Sequence, residues 1–139
     1  ISSTRLASFP DFSQVPRLEY LAASNTAMTH IDYWSLQNIK YLDISSNTRI
    51  TAFDFGALPL LEQLDITECS IQDFDLSNAN NLWFLRCSDN LNWVLDLDQA
   101  PVLTNVEAYT ETLTEITAKE FSKRENSVLL CFETTAVKR

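Results

Sequence analysis

The chain is poor in the residues that most often make turns. Its 139 residues include one glycine and four prolines. The remaining turn-forming residues are Asn, Asp, Ser and Thr, whose side chains can hydrogen-bond the local backbone. Regular turns in this chain must therefore be built on polar side chains.

Basic residues are also scarce, with 10 Lys and Arg against 19 Asp and Glu and a net charge of −9. Binding to phosphates requires a cationic face, so this balance argues against a nucleic acid or an anionic membrane surface as partner. No apolar run approaches the roughly 20 residues of a membrane span, and the N-terminus lacks a basic-then-apolar signal. We expect no nucleic acid partner and no membrane insertion.

The three cysteines, Cys69, Cys87 and Cys131, match no zinc or redox spacing. No Asn-x-Ser/Thr glycosylation site occurs. These absences favour a reducing cytoplasmic location, with a bacterial cell surface as the alternative. We expect no disulfide within the chain, no metal site and no cofactor.

An internal repeat is the strongest feature of the sequence. Five segments have the form LxxLxL, with apolar residues at unit positions one, four and six, and they follow one another every 21 or 22 residues. They are Leu18–Ala23, Ile39–Ile44, Leu61–Ile66, Leu82–Cys87 and Leu103–Ala108. A sixth copy is predicted to start near 127, with Leu130 and Phe132 inward and Cys131 outward. Position nine, a turn position, reads Thr26, Asn47, Cys69, Asn90, Glu111 and Thr135.

The second half of each unit repeats as well. An apolar pair three residues apart recurs at Met28, Ile50, Ile71 and Leu113. Next comes an aspartate column: Asp11, Asp32, Asp54, Asp75 and Asp96. Such regular carboxylates could form a calcium ladder, but that needs glycine-rich loops. We favour aspartates that hydrogen-bond the backbone N–H groups of the following turn.

These units predict one domain over residues 1–139, with a partial unit over 1–17. One unit cannot bury its own apolar edge, but stacking units about 4.8 Å apart makes a continuous core. We predict a right-handed β-solenoid with a parallel sheet on its concave side and an extended or 3-10 convex side. Residues 118–125 are the exception, because they are good helix formers and should form a helical turn.

The repeat over Leu6 to about Val137 resembles the leucine-rich-repeat superfamily. The short period and the cysteine at Cys87 resemble bacterial internalins most. The sequence differs from them in having one strand cysteine rather than a ladder of them.

Aromatic residues are concentrated at outward strand positions. Tyr20, Tyr41 and Phe84 occupy position three, Trp83 position two and Tyr109 position seven. Contiguous exposed aromatics often mark protein interfaces. The alternative is cross-strand packing that stabilises the sheet.

Charged residues dominate position five, with Asp43, Asp65, Arg86 and Glu107. Like charges on neighbouring strands repel unless a partner relieves them, which favours a basic peptide or protein. The alternatives are a solvated acidic face and, for Arg86, an internal ion pair with Asp65 and Glu107.

No nucleophile, acid–base pair or phosphate loop is recognisable. His30 lies on a turn without a Ser or Cys partner in a known motif, so we predict neither a catalytic nor a metal-binding residue. Cys87 is expected to be buried, and Cys131 to be an exposed thiol or an intermolecular disulfide. We expect a protein-binding module that uses its concave face. The alternative is a structural segment of a larger repeat protein whose open ends pack on further repeats or a partner subunit.

Overall fold

A computed structural model describes residues 10–92, 94–132 and 135–138. Within these ranges the chain forms nine strands of three residues each and three short 3-10 helices, at Tyr33–Leu36, Leu97–Gln99 and Phe121–Lys123. The strands are β1 Tyr20–Ala22, β2 Tyr41–Asp43, β3 Gln63–Asp65, β4 Phe84–Arg86, β5 Val94–Asp96, β6 Asn105–Glu107, β7 Glu115–Thr117, β8 Val128–Leu130 and β9 Ala136–Lys138. The described residues contain no α-helix.

Six of the strands form one parallel sheet in the order β1-β2-β3-β4-β6-β8. The register follows the sequence repeat: Leu42 pairs with Leu64, and Leu64 with Leu85. Each strand therefore lies beside its counterpart in the next unit, as expected for a coil that advances by one strand spacing per turn. The predicted β-solenoid is confirmed.

The core is built from the inward positions of these strands. Positions four and six stack in two columns, and their central members are at most 1 % exposed: Leu42, Ile44, Leu64, Ile66, Leu85 and Cys87. Burying one such aliphatic side chain contributes roughly 1.5–3 kcal/mol. The predicted burial of all six residues is confirmed.

Buried polar side chains complete the turns after β1, β2, β4 and β6, whereas Cys69 occupies this place after β3. Asn47 Nδ2 donates to the carbonyls of Ala23 and Ile44, at 3.0 and 2.8 Å, and its Oδ1 accepts from Thr26 N at 3.0 Å. Asn90 Nδ2 donates to the Ile66 and Cys87 carbonyls in the same way. One amide thus satisfies backbone groups of two consecutive turns, which glycine could not do.

The residue before this column, at position eight, is left-handed in four turns without being glycine. The φ angles are 51°, 56°, 54° and 54° at Asn25, Ser46, Glu68 and Asp89. This conformation costs L-residues roughly 1 kcal/mol or more. Their amides donate to the next turn, as Ser46 N does to the Thr67 carbonyl at 2.8 Å, so cross-turn hydrogen bonds offset the cost.

The aspartate column caps the second half of each turn. In all five turns an Oδ1 atom accepts from the backbone N–H two residues later, at 2.8–3.1 Å, with Ser13, Trp34, Gly56, Ser77 and Asp98 as donors. The backbone-bonding role predicted for these aspartates is confirmed. In the next turn the register partner of Asp96 is Thr117, and Asp98 instead accepts from the amides of residues 119–121.

A second parallel sheet, β5-β7-β9, was not predicted. It forms in the second halves of the last turns, where Leu95 and Ile116 pair and are fully buried. The helical turn predicted over residues 118–125 is confirmed only as the 3-10 helix Phe121–Lys123. Asn92 lies four residues before Asp96, at an inward position that carries Ile71 and Leu113 in the neighbouring turns. It therefore interrupts an apolar column.

Two assignments from the sequence were wrong. The sixth unit starts one residue earlier than predicted, because Leu129, not Leu130, pairs with inward Val106. Leu130 is therefore outward and exposed, as is Phe132, while Cys131 packs against the core. At the fifth turn Glu111 is exposed, and Thr110 is the buried residue, donating to the Asn90 carbonyl at 2.8 Å.

Candidate functional site

The candidate site is the outward side of the six-stranded sheet, which we call the strand face. It consists of the side chains at unit positions two, three, five and seven. In five strands of this sheet the central residue is buried and its two neighbours are half-buried or exposed: β1, β2, β3, β4 and β6. All nine predicted partner-binding residues lie on this face: Tyr20, Tyr41, Asp43, Asp65, Trp83, Phe84, Arg86, Glu107 and Tyr109.

Two tyrosines form a parallel stack at the β1 end of the strand face. The ring centroids of Tyr20 and Tyr41 are 4.2 Å apart and the rings are inclined by 4°. Tyr20 is 61 % exposed, whereas Tyr41 is half-buried. This pair fits both alternatives drawn from the sequence, because cross-strand stacking stabilises the sheet and still leaves an exposed aromatic surface.

Asp43 and Asp65 lie side by side next to the tyrosines, in register on β2 and β3. One oxygen of each is used locally: Asp43 Oδ1 accepts from Ser45 N at 3.0 Å, and Asp65 Oδ1 accepts from Thr67 N at 3.0 Å. Burial, the Tyr20 hydroxyl and these two carboxylates raise the pKa of Tyr41 to about 12. The two carboxylates therefore create a negative local potential at the phenol, which disfavours its ionisation.

Arg86 on β4 is held by its neighbours. Its Nε lies 3.1 Å from Glu107 Oε2 and its NH1 lies 3.8 Å from Asp65 Oδ2. Its guanidinium carbon is 5.1 Å from the centroid of the Phe84 ring. The internal ion pair offered as an alternative for Arg86 is present. Exposed pairs of this kind contribute about 0–1 kcal/mol each, so Arg86 is positioned rather than immobilised.

Aromatic and aliphatic side chains dominate the β4–β8 end of the strand face. Trp83 is 37 % exposed and makes an edge contact with Phe84, with ring centroids 5.7 Å apart. Tyr109 and Phe132 form a similar pair at 5.5 Å. Val128 and Leu130 on β8 are exposed beside them.

Sequence reasoning missed Val128, Leu130 and Phe132 as members of this surface. Every residue from 128 to 132 is apolar, and alternation alone cannot place a strand whose two faces are both apolar. The earlier units start 21 or 22 residues apart, whereas the predicted last unit starts 24 residues after the fifth. This difference was the signal that could have given the register of the last strand.

The described residues show no arrangement typical of a catalytic or metal-binding site. No group of three or more His, Cys, Asp or Glu side chains within them could hold a metal ion. His30 is exposed, with Nδ1 3.2 Å from Thr29 Oγ1. Burial raises the pKa of both Cys69 and Cys87 to about 12, so neither thiol is activated as a nucleophile. No helix in the described ranges is long and apolar enough to cross a membrane.

Comparison with known proteins identifies the fold. One solved structure, described as the functional domain of InlJ from Listeria monocytogenes and including a cysteine ladder, superposes with a TM-score of 0.55 and 21 % sequence identity. The match covers 99 % of this chain and 39 % of the other chain. No protein-family model and no curated protein matched. The chain is therefore a parallel β-solenoid with an internalin-like coil.

Proposed function

We propose that this chain is a leucine-rich-repeat recognition module that binds another protein or peptide on its strand face. The observation that carries the proposal is the aromatic surface of the Trp83–Phe84 and Tyr109–Phe132 pairs, in which Trp83, Tyr109 and Phe132 are exposed and Phe84 is half-buried. Exposed aromatic side chains on neighbouring turns are uncommon on isolated monomers and often mark interaction sites. Tyr and Trp contribute large contact areas at low entropic cost, which makes them common binding anchors.

The likeness to a solved internalin-type structure supports a repeat coil, and repeat coils commonly present extended surfaces to other proteins. We further propose that the module is not an enzyme, since buried high-pKa thiols and an exposed lone histidine do not assemble an acid–base or nucleophilic site.

The test is affinity capture from a lysate of the source organism with the whole chain as bait, followed by a binding measurement with the purified captured protein. The Trp83→Ala, Tyr109→Ala double variant should lose the partner. Loss of a central aromatic anchor costs about 2 kcal/mol or more, which corresponds to a roughly 30-fold weaker Kd.

Trp34 offers a matched control on the other side of the coil. Trp34 is 89 % exposed, and its position in the other turns carries Ser13, Gly56, Ser77 or Asp98. Trp34→Ala should bind with wild-type affinity. Wild-type affinity of the double variant, with loss in Trp34→Ala, would contradict the strand face as the site and move it to the opposite side.

A second candidate function is assembly at the end of the coil formed by β8 and β9. Leu129 and Val137 belong to the inward columns but are only partly buried there, while their counterparts Val106 and Ile116 are at most 1 % exposed. A further repeat or a partner subunit would cover them. Leu129→Lys should abolish such packing and leave strand-face binding unchanged, as measured by sedimentation and by Kd.

A further inference from the structure

The strand face carries two kinds of surface in a fixed order. From β1 to β8, position five reads Ala22, Asp43, Asp65, Arg86, Glu107 and Leu130. Over the same strands, position three reads Tyr20, Tyr41, Gln63, Phe84, Asn105 and Val128. The β2–β3 end is acidic and tyrosine-lined, whereas the β4–β8 end is aromatic and aliphatic.

The negative charge of the β2–β3 end is compensated only in part. Arg86 approaches Asp65, but its closer contact is with Glu107, at 3.1 Å against 3.8 Å. Within the described residues, Asp43 accepts hydrogen bonds from Ser45, whose amide and hydroxyl both donate to Oδ1, at 3.0 and 2.6 Å, and neither donor neutralises the carboxylate. Glu62 directly precedes β3, where Lys40 interacts with it electrostatically. Glu68 lies on the turn after β3, and its Oε2 accepts from Ser46 Oγ at 2.7 Å.

The tyrosine stack adds a second feature that suits a cation. Tyr20 is 61 % exposed, and because Tyr41 stacks on one face of its ring, the exposed part lies on the strand next to Asp43. Aromatic faces attract ammonium and guanidinium groups, and Arg86 above Phe84 shows the same geometry within this chain.

At the opposite end the charges of Arg86 and Glu107 are paired with each other. The side chains around this pair are aromatic or aliphatic and each is 37–45 % exposed: Trp83, Tyr109, Val128, Leu130 and Phe132. Apolar groups of a partner gain most by covering this part of the surface.

We infer that the partner is an amphipathic segment that crosses the strands, with Lys or Arg side chains over Asp43 and Asp65 and apolar side chains over Trp83, Tyr109 and Phe132. This inference rests on the proposed function and adds the chemistry and orientation of the partner. Neighbouring parallel strands lie about 4.8 Å apart, so β3 and β6 are about 10 Å apart. An extended chain spans that distance in about three residues, which sets the spacing between the cationic and apolar groups.

The experiment uses random dodecapeptides displayed on phage, selected on the whole chain at low salt. The most enriched sequence is then synthesised with a fluorescein label, and its Kd is measured by anisotropy. We expect enriched sequences to carry Lys or Arg about three residues from an aromatic or aliphatic residue.

Isosteric variants test the charge directly. Asp43→Asn with Asp65→Asn keeps Oδ1 as acceptor for the turn amides and removes two charges, and Glu107 still holds Arg86. We expect about tenfold weaker binding at low salt and a smaller loss at about 0.5 M salt, where screening is stronger. The matched control, Asp54→Asn with Asp75→Asn, removes the same charge from two turn caps off the strand face and should leave the Kd unchanged.

The outcomes separate the inference from the proposed function. If Trp83→Ala abolishes peptide binding while the Asp43, Asp65 variant binds like its control, or if the selected peptides lack cationic residues, the inference is overturned and the proposed function stands. If the peptide binds Trp83→Ala as tightly as wild type, or if no sequence is enriched, both are overturned.

Discussion

Replacing Asn92 by a hydrophobic residue should make the protein more stable. Asn92 is fully buried, and neither atom of its side-chain amide has a hydrogen-bond partner within the described residues. It lies four residues before an aspartate of the column, where other turns carry Met28, Ile50, Ile71 and Leu113, each at most 4 % exposed. The site therefore lies in an apolar column that accepts side chains of leucine size in the turns on both sides.

The magnitude follows from two terms. A buried amide without partners costs about 1–3 kcal/mol, and the added methyl groups of leucine contribute roughly 1 kcal/mol more if they fit. Overpacking would subtract about 1–3 kcal/mol, and Asn92→Val, with a smaller side chain, limits that cost. We expect the better of Asn92→Leu and Asn92→Val to raise the free energy of unfolding by about 1–3 kcal/mol.

Urea unfolding followed by far-UV circular dichroism measures this change. The midpoint should rise while the m-value stays constant, because the surface exposed on unfolding is nearly the same. Asn80→Leu, at an exposed position, is the control and should shift the midpoint little. A lower midpoint for both Asn92 variants at constant m-value would refute the reasoning and show that the amide is satisfied in the native turn.

Three other predictions concern residues whose environment the structure defines. Leu64→Ala should lower the free energy of unfolding by roughly 2–5 kcal/mol, because Leu64 is 1 % exposed in the middle of its column, and a loss below about 1 kcal/mol in urea unfolding would contradict the register. Cys69 and Cys87 should resist a thiol reagent at pH 8 until the protein unfolds, because burial raises the pKa of each to about 12; rapid labelling of either, located by mass spectrometry, would contradict their burial. The Ser77 hydroxyl and amide lower the pKa of Asp75, so Ser77→Ala should raise that pKa toward 3.8 in an NMR titration, and an unchanged value would exclude the hydroxyl as the main cause.

The strand columns and the aspartate caps could be predicted because each depends on a residue type repeated at one unit position. Leu64 is buried because its neighbours 21 and 22 residues away are also leucines. The Asp54 carboxylate accepts a hydrogen bond from the amide of Gly56, only two residues away, so its role can be predicted without knowledge of distant residues. Local hydrogen-bonding chemistry and strict periodicity can both be recognised in a single sequence.

The last turns were predicted less well because they depart from the repeat. Five consecutive apolar residues at 128–132 permit either register, and only pairing with β6 places Leu129 inward. The strands of the second sheet occur, within the described residues, only in the second halves of the last turns, so no motif repeated along the chain marks them. Asn92 interrupts an apolar column, and sequence alone does not say whether such a residue is buried without a partner or exposed by a local change of register.

Inward and outward residues of a strand are subject to different constraints, and this difference supports the strand face as the binding surface. Leu85 is enclosed by the turns on both sides, so its size and polarity are fixed by packing. Trp83 touches Phe84 at its edge and is 37 % exposed, so packing constrains it less than it constrains an inward residue. Trp34 on the opposite side is more exposed still, but its position carries a small or acidic residue in the other turns, whereas Trp83, Tyr109 and Phe132 lie on three neighbouring turns of the strand face. The proposal therefore depends on this group of aromatic residues and not on one exposed tryptophan. Binding of Trp83→Ala, Tyr109→Ala and Trp34→Ala to one purified partner directly compares the two faces.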